Sequence, residues 1–332
     1  MKERLDEKDK IFLAGSKGMV GSSIKRALEN LGYGKNDTFQ NLLTPSRKEL
    51  NLLDTTSVKN WFSQNRPSVV ILAAAKVGGI LANSTYPADF LIENLKIQTN
   101  VIEASWSTGV KRLLFLGSSC IYPKYSSQPI QEEALLKDSL ESTNESYAIA
   151  KIAGLKLCES LRSQYGFDAI SLMPTNLYGP NDNYHLNNSH VMAALIRKFI
   201  VAKRENLSSV TCWGSGLVHR EFMHVDDLAE GVIFCLKYWD PNEENAPKDS
   251  LGNPLNHLNI GTGIDISIKD LAEKIASFTN FKGEILWDIT KPDGTPKKLL
   301  DVSRIKKLGW NAKINLDYGI QTTINSLSSR FF

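Results

Sequence analysis

Short, unbroken apolar runs alternate with amphipathic stretches along the first half of the chain. Ile11-Phe-Leu-Ala14 and Ser68-Val-Val-Ile-Leu-Ala-Ala-Ala75 are apolar at almost every position. Strands buried on both faces of a sheet read this way, whereas a strand with one wet face alternates. Residues 38–43, Arg112-Leu-Leu-Phe-Leu-Gly117 and Asp168-Ala-Ile-Ser-Leu-Met173 predict further strands. Between them, residues 22–31 carry Ile24, Ala27, Leu28 and Leu31 on one helical face, and 94–107 and 147–165 also read as helices. Strands separated by helices make parallel sheets covered on both faces. The pattern therefore predicts an α/β fold built on a Rossmann-type doubly wound parallel sheet.

The rhythm loosens after Leu177. Residues 178–189 are polar and turn-rich and predict a long loop, a kind of segment that often carries function. Residues 191–203 predict a helix, and Val225-Asp226-Asp227-Leu228 a helix start with an aspartate cap. Residues 240–257, with three prolines, read as a surface excursion, and 261–269 leads into a helix over 270–278. No internal repeat is found. The organisation predicts a cofactor-binding part from residues 11–180 plus about 224–262. A smaller C-terminal α/β substrate part, about 181–223 plus 263–332, would close over a cleft. Residues 1–10 hold eight charges and no apolar run, which predicts a loose, flexible extension and not a secretory leader.

At 332 residues the chain has room for a large core and one or two domains. A net charge of +3 gives no broad attraction to nucleic acid or to a membrane surface. No stretch approaches the ~20 apolar residues of a membrane helix. Cys120, Cys158, Cys212 and Cys235 stand far apart, with no Cys-x-x-Cys pair and no Cys/His cluster. That argues against a disulfide framework or a metal site, and for a reducing, cytoplasmic setting.

Gly15-Ser-Lys-Gly18-Met-Val-Gly21 follows a strand and opens a helix. In that context glycines permit a tight turn, close approach of backbone amides to a pyrophosphate, and tight helix–strand packing. A dinucleotide is expected there. An acid at the end of the second strand would hold a ribose diol, but Leu43-Thr-Pro-Ser-Arg47 has none, and Lys17 lies in the turn. Two cations and no acid point to a 2′-phosphate, hence NADP(H); the other reading of Arg47 is a solvated surface arginine.

Tyr147-Ala-Ile-Ala-Lys151 places a phenol and an ammonium one helical turn apart. The cation is expected to lower the phenol from its usual pKa of ~10 toward neutrality. Ser118 closes a strand whose C-terminal end would face a nicotinamide, where its hydroxyl can hold a carbonyl or alkoxide oxygen beside the phenol. Together these groups describe hydride transfer at a carbonyl carbon. Cys120 is either a small packed residue or, as a thiolate, a base for a proton alpha to a ketone. His190, opening a helix after the long loop, reads as a cap, a packed side chain or a catalyst. Trp213-Gly-Ser-Gly216 and Arg220-Glu-Phe-Met-His224 look like a substrate wall, with an aromatic surface and an arginine for phosphate. Lys198 and Lys291-Pro-Asp-Gly-Thr-Pro-Lys-Lys298 are candidates for the same task, the latter otherwise a turn followed by solvated lysines.

Ser118, Tyr147 and Lys151 with the glycine turn resemble the extended short-chain dehydrogenase/reductases that act on nucleotide sugars. Further blocks narrow the resemblance to GDP-sugar epimerase–reductases within that family. They are Ala73-Ala-Ala-Lys-Val-Gly-Gly-Ile80, Gly117-Ser-Ser-Cys-Ile-Tyr-Pro-Lys124, Asn144-Glu-Ser-Tyr-Ala-Ile-Ala-Lys-Ile-Ala-Gly154, Met173-Pro-Thr-Asn-Leu-Tyr-Gly-Pro180, Asn188-Ser-His-Val191, Trp213-Gly-Ser-Gly216, Arg220-Glu-Phe-Met-His-Val-Asp-Asp227 and Lys291-Pro-Asp-Gly-Thr-Pro296. The likeness runs from about residue 10 to about residue 321.

The resemblance implies that Ser118, Tyr147 and Lys151 reduce C4 of a GDP-4-keto-6-deoxy sugar. Cys120 and His190 would be the base and acid of epimerisations at C3 and C5. NADP(H) contacts are implied for Gly15, Ser16, Lys17, Gly18, Met19, Val20, Gly21, Arg47, Leu53, Asp54, Ala73, Ala74, Ala75, Leu116, Gly117 and Ser119. Pro174, Thr175, Asn176, Leu177 and His190 join them, beside the three reduction residues. Lys198, Trp213, Arg220 and Asp293 would contact the GDP-sugar, and helices of the cofactor part would form a homodimer. The chain departs from the family pattern at Lys17, where an arginine is common, and at Pro45, where another can sit. Dehydratases of the family carry an Asp-Glu pair shortly after the serine, where this chain has Cys120-Ile121. A 4-epimerase has no use for Cys120. Non-catalytic NADP sensors on the fold commonly lose the tyrosine or the lysine.

Overall fold

The computed structural model describes residues 3–35, 40–185 and 189–331, with side chains through residue 327. Strand β1 (Ile11–Ala14) is buried at every position and runs into helix α1 (Met19–Asn30), which begins inside the glycine turn rather than at residue 22. Strand β2 is confined to Leu42–Leu43; residues 38 and 39 of the expected strand lie outside the described residues. Helix α2 (Thr55–Asn65), not anticipated from the sequence, is capped by Asp54, whose carboxylate accepts from the Ser57 N–H. Strand β3 (Val69–Leu72) ends three residues before its apolar run does, so the three alanines leave the sheet. Helices α3 (Ile80–Thr85) and α4 (Pro87–Ser107) follow. Proline in the first turn of α4 explains its early start, because an N–H there would have no helical partner anyway. Strand β4 (Arg112–Leu116), helix α5 (Glu145–Tyr165) and strand β5 (Ala169–Pro174) fall close to their expected positions.

Strand β6 (Asn176–Tyr178), α6 (Val191–Arg204), β7 (Ser209–Trp213), β8 (His219–His224) and α7 (Val225–Tyr238) come next. Then follow β9 (His257–Ile260), β10 (Asp265–Ser267), α8 (Ile268–Phe278), β11 (Glu284–Asp288), β12 (Lys297–Lys298), α9 (Ser303–Lys307) and α10 (Leu316–Phe331). The cap of α7 is not an aspartate. His224 Nδ1 accepts from the Asp226 N–H, while the Asp226 carboxylate binds Ser23 and Arg26 of α1. Asp227 accepts from the backbone of Lys313 and Ile314. The two acids thus tie α7 to distant segments.

Six parallel strands form the main sheet in the order β2-β1-β3-β4-β5-β9. Strands β2 and β3 flank β1 on opposite sides, so the chain reverses direction across the sheet at β1. Open α/β sheets bind ligands in the crevice that such a reversal leaves at the carboxyl ends of the strands. Smaller pieces, β10-β8-β12 with β6 on β8, and β11 on β7, carry the rest of the strands. One apolar core surrounds the main sheet; a second gathers Phe199, Leu271, Ile275 and Ile320. Leu300, Val302, Ile305 and Trp310, placed by the sequence in the substrate part, pack into the first core instead.

The stretch before β1 is not a loose extension where it is described. Leu5 and Asp9 are buried, Arg4 pairs with Asp240 at 2.6 Å, and the Tyr33 hydroxyl donates to the Asp6 carbonyl. Among the described residues no helix is long and apolar enough to cross a membrane.

Candidate active site

The glycine turn is shaped by backbone contact. Gly15 has φ +87°, and a Cβ there would lie 2.9 Å from the backbone of Ala74 at the end of β3. A Cβ on Gly21 would lie 2.1 Å from the Gly15 carbonyl oxygen. Both positions exclude any side chain. At Gly18 a Cβ would meet nothing nearer than 3.6 Å, so that glycine leaves open space over the N-terminus of α1 rather than relieving a clash. Unpaired amides at a helix N-terminus, with a positive dipole end, suit a phosphate.

A cleft of ≈ 1110 Å³ runs from this turn across the strand ends to the second core. Its walls include every residue that the resemblance assigns to the site except Asp54, whose carboxylate is used as the cap of α2. Lys17, Pro45, Ser46 and Arg47 line one end. Glu49, an acid the sequence reading passed over, accepts from the Ser46 N–H at 2.6 Å, which holds its carboxyl below the usual range, with Lys17 a lesser contributor.

At the centre, Ser118 accepts from the Cys120 N–H at 3.2 Å and caps a short turn over 119–121. Tyr147 and Lys151 stand one turn apart in α5, as their spacing requires. The expected effect of the lysine on the tyrosine is not observed. Lys151 Nζ donates to the Leu116 carbonyl at 2.8 Å and lies 5.9 Å from the centre of the Tyr147 ring. Burial raises Tyr147 above its ordinary value, its electrostatic interaction with Cys120 adds to this, and a hydrogen bond with Ser118 opposes it. Burial likewise pulls Lys151 down to about 8. At neutral pH the site holds a neutral phenol beside an ammonium.

Cys120 is a free thiol whose sulfur accepts from Asn144 Nδ2 at 3.4 Å and from Lys298 Nζ at 3.8 Å. His190 occupies the N-cap position of α6 without capping through its side chain; it stays open to the cleft, and desolvation lowers its pKa. On the far wall two cations lie over the Trp213 ring, Lys198 at 5.4 Å and Lys291 at 5.6 Å from its centre. Arg220 donates to the Asp293 carbonyl at 3.1 Å, while the Asp293 carboxylate accepts from the Ser215 N–H at 2.8 Å. The Lys291–Lys298 stretch therefore divides. Lys291 faces Trp213, Lys297 pairs with Asp265 at 3.1 Å, and Lys298 faces Cys120.

Residues missed by sequence reading also line the cleft, among them Asn144, Asn181, Asp182 and Glu93. Asp182, on the polar loop, is pushed up to about 7 by burial. Its place in a turn-rich segment after a strand was the available signal. Asn188, in the Asn188-Ser-His-Val191 stretch, lies outside the described residues.

The family model described as the NAD dependent epimerase/dehydratase family matches residues 11–260. The chain belongs to the NAD dependent epimerase/dehydratase family. Relatives in this family include GDP-L-fucose synthase 1 of Arabidopsis thaliana, 52% identical over 96% of this chain and 93% of that protein. GDP-L-fucose synthase of Escherichia coli K12 is 50% identical over 95% of each. Among solved structures, a GDP-mannoheptose C4 reductase from Campylobacter jejuni with NADP bound superposes with a TM-score of 0.84 at 36% identity, covering 98% of this chain and 99% of that one.

Proposed function

We infer that the protein converts GDP-4-dehydro-6-deoxy-D-mannose to GDP-L-fucose with NADPH, by epimerisation at C3 and C5 followed by reduction at C4. One observation carries the reading: a single cleft joins two sets of groups, Ser118, Tyr147 and Lys151 for reduction, and Cys120 with His190 for proton exchange. GDP-L-fucose synthases alike over nearly the whole chain support it, as does the NADP-bound C4 reductase. A dehydratase would need an acid pair where Cys120-Ile121 stands.

NADP(H) fits the residues present. Gly15 and Gly21 permit the tight turn, Gly18 leaves open space over the N-terminus of α1, whose amides suit the pyrophosphate, and Lys17 and Arg47 offer charge for the 2′-phosphate. The dinucleotide supplies the hydride. Ser118 holds the C4 oxygen, and Tyr147, neutral at physiological pH, donates the proton that oxygen gains. Lys151, which lines the cleft, would hold the nicotinamide ribose hydroxyls. A ketone at C4 acidifies both C3–H and C5–H, so Cys120 removes each proton in turn and His190 returns one on the opposite face. Lys198, Trp213, Arg220 and Asp293 hold the GDP moiety. The decisive test is incubation with NADPH and the keto-sugar nucleotide, with nicotinamide absorbance followed and the product identified. Oxidation without change at C3 and C5, or no oxidation, refutes the reading.

Cofactor choice gives a second check. NADPH is expected to be preferred in kcat/KM, and Lys17→Ala to weaken NADPH more than NADH by about 1.5–3 kcal/mol, the value of a charge-assisted contact. An equal loss for both cofactors places Lys17 on the pyrophosphate. The pH profile is set by Lys151, which carries its charge below about 8 and loses it above. Hence kcat/KM for NADPH, a property of the free protein, is expected to fall as pH rises through about 8. A profile flat across that range shows that the ammonium is not needed.

We propose a cofactor part and a substrate part, with the 300–310 segment belonging to the first. We place homodimerisation on α4 and α5, which pack together and leave Ile92 and Ile149 exposed. Light scattering that reports a single 37.0 kDa chain refutes it. Four unpaired cysteines suit a reducing, cytoplasmic setting.

A further inference from the structure

We propose that Asn144 and Lys298 are positioning residues that hold the Cys120 sulfur as a thiolate and so determine when the epimerisation base is ready. The proposal rests on the reading of Cys120 as that base. A thiol carries one proton of its own to donate and is only a weak acceptor. Here the sulfur instead receives an amide N–H at 3.4 Å and an ammonium at 3.8 Å. Two donors converging on one sulfur match an anion, which offers acceptor capacity and no hydrogen.

Each donor is held for this contact. Asn144 directly precedes α5, the helix that carries Tyr147, and its side-chain Oδ1 is buried with no hydrogen-bond partner. A buried amide half-satisfied in this way is kept at a cost, and what it does gain is the bond to sulfur. Lys298 comes from β12, whose parallel register with β8 sets it beside Arg220. Its neighbour Lys297 is neutralised by Asp265, whereas among the described residues no carboxylate pairs with Lys298. An uncompensated ammonium beside the sulfur stabilises its charged form. The other charged or titratable groups around Cys120 are Arg220 and Tyr147, and Glu141, which also lines the cleft, is paired with Lys124 at 3.0 Å. The donors arrive on different elements, 24 and 178 residues after Cys120 in the sequence, so only the assembled cleft completes the cradle.

The test is the rate at which iodoacetamide labels Cys120 in the full chain, read by peptide mass spectrometry over roughly pH 6 to 9, since the thiolate is the form that reacts. Lys298→Met is expected to slow labelling about tenfold at neutral pH and to leave a rate that still climbs at alkaline pH. Lys298→Arg restores the charge and the wild-type rate. Asn144→Asp keeps the shape, replaces the donor by an anion and also slows labelling. NADPH binding, followed by fluorescence, shows that each variant is folded. Uptake of deuterium from D2O into the sugar is expected to fall in step with labelling. Wild-type labelling in both Lys298→Met and Asn144→Asp overturns the proposal, even if exchange is lost, because the two residues would then act on the sugar and not on the sulfur. Failure of the base reading is a separate result, namely exchange that survives in Cys120→Ser.

Discussion

Replacement of Tyr147 by phenylalanine is expected to lower C4 reduction by roughly 10²–10⁴-fold, the contribution of a positioned proton donor, while leaving the fold and NADPH binding intact. The ring of Tyr147 meets Phe90 edge-on at 6.4 Å between centroids, and phenylalanine keeps that contact. Only the hydroxyl that bonds with Ser118 is lost. Because burial keeps the phenol protonated, its task is to give a proton to the oxygen formed at C4. Epimerisation uses other residues, so the variant should accumulate a keto sugar already exchanged at C3 and C5. Stopped-flow absorbance at the nicotinamide band, with mass spectrometry of the recovered sugar, measures both effects. A variant that reduces the ketone at the normal rate removes Tyr147 from the chemistry.

The second large effect belongs to Cys120→Ser. A cysteine thiol ordinarily titrates near ~8.5, whereas an alcohol is a far weaker acid and provides almost no anion at neutral pH. Serine preserves the shape but not the base. With oxidised cofactor bound, so that no hydride is available, the wild-type protein should carry deuterium from D2O into C3 and C5. In the variant this uptake is expected to fall by on the order of 10²–10⁴-fold, and any reduction that persists should give the unepimerised 6-deoxy sugar. His190→Ala should differ, since protons are still removed but return slowly or to the original face. Undiminished uptake in Cys120→Ser makes that cysteine a small packed residue and nothing more.

These outcomes depend on groups of unequal legibility. The Tyr147–Lys151 pair is a matter of helical spacing, and any helix through α5 would bring both to one face. What the pair does was read wrongly from spacing alone. A cation one turn away was expected to acidify the phenol, but Lys151 turns to the Leu116 carbonyl and desolvation acts on both groups. Asp54 does not line the cleft. The resemblance assigned it to the cofactor, yet its carboxylate is the cap of a helix that the sequence reading had not recognised. Lys298 lay in a run read as phosphate-binding or solvated, and nothing local marks it as a neighbour of a cysteine 178 residues away.

The sequence by itself determined the parallel sheet, the glycine turn and the helix that carries the tyrosine and lysine. Each depends on residues within a few positions of one another: unbroken apolar runs, glycines where a Cβ would strike backbone, and a four-residue spacing. Tertiary structure decided which strand closes the main sheet, since β9 follows a polar excursion and is recognisable only once it pairs with β5. It also decided the protonation of Tyr147 and the surroundings of Cys120. Both follow from depth of burial and from side chains delivered by separate elements, through the register of β12 on β8 and the packing of α5 against the sheet. Charge and solvation are properties of the assembled cleft, and no window along the chain contains them.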